Sequence, residues 1–179
     1  GINLNPMEIR KCVYYGKLFD RLEKLNENPK WRQIIAKEKI DKRLRDVELV
    51  LRILSLNEDW RSYSKPMKGF LNRFMASIKK LPDHEADSKL EYFTERFNKA
   101  CDIIEDSLPN KPFHLRGRIN YAAMDSIFVA IMRMDEVPAD IGERYHKLVN
   151  DDEFVRSATL NTSDESTLHI RFSRAISML

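Results

Sequence analysis

The chain has 179 residues, 31 Lys and Arg against 28 Asp and Glu, and its net charge of +3 is too small to name a polyanionic partner by itself. Hydrophobic residues at 42% and charged residues at 33% exclude a disordered chain, and the length suits one domain or at most two small helical subdomains. Cys12 and Cys101 have no CxxC or Cys/His spacing, which argues against zinc and against a secreted disulfide scaffold. The longest apolar run, 127–132, is too short to span a bilayer, no signal peptide is visible, and the cytoplasm is the expected compartment.

In chain order, the punctuation predicts about nine helices. Asn5-Pro6-Met7-Glu8 is a helix start: Asn5 accepts the Glu8 N–H, Pro6 sits where no N–H is needed, and Glu8 reaches back to the cap. That first helix covers 6–15 and stops at Gly16, suited to a left-handed C-cap. A chain that opens on Gly and enters a helix at once is expected to be a piece of a longer protein. A second helix covers 17–26, and Asn28-Pro29 opens a short third over 29–36. Asp41 is the expected cap of 42–57 and Ser64 that of 65–80, with Pro82 ending the latter. A long helix over 87–107 carries Leu90, Phe93, Phe97 and Ile104 as its stripe. The loop 108–119, with Pro109, Pro112 and Gly117, is the candidate subdomain boundary. Asn120 caps 121–134, Pro138 starts 139–150, Asp151 starts 152–158, and a last helix follows Ser163 or Ser166 to the end.

No alternating strand pattern and no fixed repeat occurs, so the expected fold is all-α, one irregular, orthogonal bundle. Two helices are apolar nearly all round and read as its buried centre. One is 42–57, with Leu44, Val47, Val50, Leu51 and Leu54; the other is 121–134, with Met124, Ile127, Phe128 and Ile131.

Helical spacing puts Arg43, Asp46, Glu48 and Arg52 on or beside the buried surface of 42–57, where a charge requires a partner. The sequence offers Glu48–Arg52 as an i,i+4 pair and Arg43–Asp46 as an i,i+3 pair, with Glu8 and Arg10 as cross-links from the first helix. Such a cluster either orients helices, as most buried ion networks do, or marks a junction where arginines approach a nucleotide. Asp125 is the single acid in an apolar helix, and the ordinary reading is that it finds an arginine.

Charge is unevenly spread. Residues 65–80 carry Lys65, Lys68, Arg73, Lys79 and Lys80 with no acid, whereas 81–106 carry eight acids against three bases. The basic stretch is a candidate nucleic-acid contact, or it docks on the acidic stretch of the same fold. A second candidate phosphate contact is Arg116 and Arg118, in a basic loop with Lys111 and His114 leading into the helix capped by Asn120. Asp83-His84-Glu85 reads as a polar loop rather than a metal site, the four histidines are scattered, and no Gly-x-Ser-x-Gly occurs. Trp31 and Trp60 sit beside helix ends, where packing is the usual role. No catalytic residue and no metal ligand is assigned.

Two segments carry a resemblance. Leu4, Asn5, Glu8, Ile9, Arg10, Tyr14 and Gly16 spell Leu-Asn-x-x-Glu-Ile-Arg-x-x-x-Tyr-x-Gly, and Asp41, Lys42, Arg43, Asp46, Glu48, Leu49, Leu51 and Arg52 match a second motif. Over residues 1–80 the chain resembles the helical second half of the bacterial family that includes the GmrS/GmrD modification-dependent restriction and phage-defence proteins. Thr162-Ser163-Asp164 before a helix containing Arg171 extends the likeness to the end. The resemblance implies a preceding ParB- and sulfiredoxin-like domain with an Asp-Gly-Gln-Gln-Arg motif, which would hold any nucleotide and divalent metal. That motif, and the His-Asn-His nuclease of some members, do not occur in these residues. The expected function is therefore an accessory domain with no site of its own, partnered by the upstream domain, with DNA contact and homo-oligomers open. The alternative is a stand-alone DNA-binding or protein-interaction module.

Overall fold

The computed structural model describes residues 2–179 and is all-α, with no strand among them. It has ten α-helices: α1 Pro6–Val13, α2 Lys17–Asn26, α3 Pro29–Ile34, α4 Arg45–Asp59, α5 Met67–Lys79, α6 Asp83–Ser107, α7 Tyr121–Met132, α8 Ile141–Val149, α9 Asp152–Thr159 and α10 Glu165–Met178. A 3-10 turn, Trp60–Ser62, extends α4.

Where the sequence supplies a strong cap, the helix starts where expected. Asn5 accepts the Met7 and Glu8 amides at 2.9 Å, and Glu8 accepts the Asn5 amide at 2.6 Å, a complete capping box. Asn28, Asn120 and Asp151 cap α3, α7 and α9 in the same manner. Gly16 has φ +136°, which lets the chain reverse between α1 and α2.

The expected caps of α4 and α5 do something else. The Asp41 carboxylate accepts the Arg43 amide at 2.8 Å and the Arg45 Nε at 2.6 Å, closing a turn ahead of the helix. Leu44 then takes a left-handed conformation (φ 61°), so α4 begins at Arg45 rather than at 42. Ser64 accepts an Arg73 N–H at 2.7 Å, and α5 begins at Met67 behind Pro66. Pro82 opens α6 as much as it ends α5. Asp83-His84-Glu85 is the first turn of α6 rather than a loop, and its carboxylates suit the positive end of the helix. The last helix follows Asp164, not Ser163 or Ser166.

The centre is α4 packed on α7. Val50, Leu51, Ile53, Leu54 and Leu56 of α4 are fully buried, and α7 is buried at every position from Ala122 to Met132. Around this pair, α2, α5 and α1 lie on α4, whereas α6, α9 and α10 lie on α7. Trp31 joins the layers: it is fully buried, its ring meets Phe97 and Phe128 edge-on, and its Nε1–H donates to Asn26 at 3.1 Å.

The 108–119 segment is pinned at both ends. Phe113 is fully buried in the apolar cluster, the Tyr145 hydroxyl donates to the Pro112 carbonyl at 2.6 Å, and the Asn120 amide donates to the Phe113 carbonyl at 2.7 Å. Residues 109–111 and the tip at 116–118 stand in solvent on either side of the Phe113 anchor. The acidic face of α6 meets the bases of α2 and α3: Lys17 with Asp83 and Asp87, Arg21 with Glu91, and Lys30 with Asp102 and Glu105. The basic segment 65–80 does not dock there. Its Lys65 pairs instead with Asp164, ahead of α10.

Candidate functional site

The charged residues singled out in the sequence resolve into four clusters, each tying different elements together. Arg10 is 3% exposed; its Nη1 meets Glu48 at 2.7 Å, its Nε meets Asn72 at 2.9 Å, and Nη2 reaches the Lys68 carbonyl at 3.4 Å. One side chain thus ties α1 to α4 and α5. Arg43 lies in the turn before α4 and is 43% exposed, donating to Glu8 at 3.0 Å and to the Asn3 carbonyl at 2.8 Å. With the Asn5 amide group on the Arg43 carbonyl at 2.7 Å, it clamps residues 3–8 onto that turn. The Arg43 guanidinium and the Asn5 amide hold the Glu8 carboxyl below its usual range.

The expected pairs within α4 do not form. Asp46 is completely buried and accepts Arg32 Nη1 at 2.7 Å and the Asp41 amide at 2.9 Å. Burial alone would raise its pKa, but the Asp41 N–H, Arg32 and Asn26 outweigh burial and lower it. Arg32 also donates to the Lys37 and Lys39 carbonyls and to Asn26, so it gathers the whole α3–α4 connection around one ion pair. Sequence reasoning missed Arg32 because its carboxylate lies fourteen residues away on another helix; helical spacing reveals neighbours only within one helix.

Arg52 turns from Glu48 to Asp125 of α7, donating from Nε and Nη2 to the two oxygens of that carboxylate. Burial raises the Asp125 carboxyl despite Arg52 and the nearby Arg171, while on Arg52 burial opposes the charge and Asp125 more than offsets it. Arg171 is 1% exposed and donates to the Ser157 and Thr162 carbonyls; burial brings its pKa down to about 10. These groups sit between α4, α7 and α10.

The remaining candidates are dispersed. Arg116 and Arg118 stand at the exposed loop tip, and His114 beside them is half-buried, with burial lowering its pKa. Lys68, Arg73, Lys79 and Lys80 are exposed on α5, far from that tip in the chain. Lys79 Nζ donates to the Val13 carbonyl at 3.1 Å, while Lys68 and Lys80 form no ion pair among the described residues. No group of three His, Cys, Asp or Glu side chains gathers as a metal-ligand set among the described residues.

The feature with surface geometry of its own is the seam between α1 and α5. Glu8 and Arg10 point inward, so Ile9 and Val13 of α1 face outward, 45% and 53% exposed. Ile2, Leu4 and Tyr15 at either end of α1 are exposed as well. Along α5 runs a trough of two cavities, one of about 110 Å³ between α1 and α5 and one of about 150 Å³ between the α1–α2 turn, the end of α5 and the start of α6, with Tyr14 bordering both. Lys68 borders the first cavity, and Lys79, with the Lys17–Asp83 ion pair, borders the second. α5 carries no acidic residue. Isolated exposed apolar side chains are ordinary; here five of them, Ile2, Leu4, Ile9, Val13 and Tyr15, lie on or beside one short helix next to these cavities. The apolar residues of the first motif were legible in the sequence as letters; that Ile9 and Val13 face outward follows only from Arg10 being drawn inward by Glu48 and Asn72.

No protein-family model, curated protein or solved structure matches this chain. No helix is long and apolar enough to cross a membrane among the described residues.

Proposed function

We propose that this chain is the helical accessory domain of a GmrSD-like restriction or phage-defence protein and that it docks an upstream nucleotide-processing or nuclease domain through the α1–α5 face. The carrying observation is the division of labour within the first motif. Glu8 and Arg10 lock α1 to the turn before α4, to α4 itself and to α5, and this leaves Ile9 and Val13 exposed beside the trough. Catalysis, nucleotide and divalent metal belong, in this reading, to the upstream domain, and the compartment is the cytoplasm. The test begins with the reading frame that encodes the chain, where an Asp-Gly-Gln-Gln-Arg motif is expected ahead of residue 1. The two parts, purified separately and mixed, should co-elute, and the pair I9S/V13S should abolish co-elution while melting like the parent. Absence of the motif from the frame, or co-elution unaffected by I9S/V13S, overturns the reading.

A second reading, a stand-alone DNA-binding module, is supported by the exposed Lys68, Arg73, Lys79 and Lys80 on a helix without acids. It requires duplex binding that weakens with salt, with a log–log slope flattened by nearly one unit per phosphate contact when these bases are neutralised. Fluorescence anisotropy at two salt concentrations decides it.

A further inference from the structure

We infer that the α1–α5 trough takes an acidic amphipathic helix of about three turns, a chemistry that rests on the docking reading and specifies the occupant. Ile9 and Val13, one helical turn apart, supply the apolar lip of the first cavity, and Met75 and Ile78 line the second. Lys68 and Lys79 stand at opposite ends, eleven positions apart on α5, or about 16 Å at 1.5 Å per residue. Lys80 lies just beyond Lys79, and neither it nor Lys68 has a carboxylate partner among the described residues.

A ligand that satisfies this surface needs aliphatic side chains at i and i+4 against α1, and carboxylates about three turns apart to meet the lysines. That is the helix-in-groove mode with charge-complementary ends. Nucleic acid matches the lysines but leaves the aliphatic lip covered by phosphates and sugars, which regain no hydrogen bonds there. A flat lipid surface would wet the protruding Ile2, Leu4 and Tyr15 but cannot enter a seam between two helices. A second copy of this face would set the lysines of one α5 against those of the other, and the one carboxylate lining the two cavities, Asp83, is already paired with Lys17.

The experiment is selection of a random sixteen-residue peptide library displayed on phage against the whole chain, immobilised through its C-terminus. Enriched peptides are synthesised and titrated against the parent and three variants, each first checked by its thermal melt. Expected are peptides with Asp or Glu and aliphatic residues at helical spacing. Their Kd should rise at least tenfold for K68E/K80E and for I9S/V13S, and change less than twofold for K147E on α8. Enrichment of basic or uncharged peptides, failure to enrich any, or acidic peptides indifferent to K68E/K80E would each overturn the inference. So would K68E/K80E-sensitive binding of a sixteen-base-pair duplex, or of vesicles with a quarter phosphatidylserine, in the absence of acidic peptide binding. The upstream co-elution is scored separately. An upstream domain that binds through Ile9 and Val13 while the selected peptides are not acidic leaves docking intact and rejects the chemistry. Acidic peptides without upstream binding reject the docking reading and keep the chemistry.

Discussion

Replacing Asp46 with Ala should be among the most damaging single changes in the chain, although Asp46 touches no surface. Its carboxylate is completely buried and accepts the Arg32 guanidinium at 2.7 Å and the Asp41 amide at 2.9 Å. The substitution strands a guanidinium that is itself 9% exposed and leaves a part-buried N–H unpaired. Breaking one half of a buried ion pair costs about 3–5 kcal/mol, a fifth or more of the roughly 5–15 kcal/mol of a typical domain. At about 2–4 °C per kcal/mol for a chain of this size, the melting temperature should fall by roughly 6–20 °C. The variant R43A is the matched control, because its pair with Glu8 is part-exposed and screened by solvent, so its loss should cost far less. The pH dependence has a definite sign. A carboxyl held below its ordinary value keeps its native charge where the unfolded chain has taken a proton, so its contribution is present above the unfolded pKa and disappears as pH falls through the folded one. The gap between parent and D46A should therefore narrow once the pH drops below about 4. Thermal melts followed by circular dichroism between pH 3 and pH 7 measure all of this. A D46A melt within about 2 °C of the parent at pH 7, or no larger than that of R43A, would refute the reasoning.

Four further outcomes are expected. R52M strands the buried Asp125 and should cost about 3–5 kcal/mol at neutral pH, with the loss shrinking toward acid pH as Asp125, already raised by burial, takes a proton; denaturant midpoints at pH 5 and pH 7 check the sign. W31A removes a fully buried ring from Phe97 and Phe128 and should cost about 3–5 kcal/mol in the same urea titration. Ellman's reagent should titrate Cys12 alone in the native protein and Cys101 only after unfolding, since burial pushes the Cys101 thiol up. Brief trypsin treatment should cut first after Arg116 or Arg118, the solvent-facing tip of a loop pinned at Phe113 and Asn120, as mass spectrometry of early fragments would show.

The all-α class and both central helices were legible because each rests on local rules: Asn and Pro punctuation, and apolar residues nearly all round 42–57 and 121–134. Boundaries failed where a cap residue had a better use. Asp41 closes a turn instead of capping at 42, and Ser64 serves Arg73. The identity of the charged residues was readable, but their partners were not. Glu48 prefers Arg10 to Arg52, and Arg52 prefers Asp125 across the core, since burial favours the partner that the fold brings into the same dry space over the one in sequence register. The α1–α5 face was invisible for the same reason. Which side of an eight-residue helix faces solvent depends on where Arg10 is anchored, and the side-chain oxygens that anchor it, on Glu48 and Asn72, are at least 38 positions away.

Amide hydrogen exchange compares the central claim with its rivals most directly. The chain is measured alone and with the upstream domain added, and protection is mapped by peptide. Docking through the α1–α5 face predicts slowed exchange confined to residues 6–16 and 67–81, with α8, α9 and α10 unchanged. Protection that falls on α9 and α10, or on the 115–118 tip, with α1 and α5 exchanging as in the isolated chain, would contradict it.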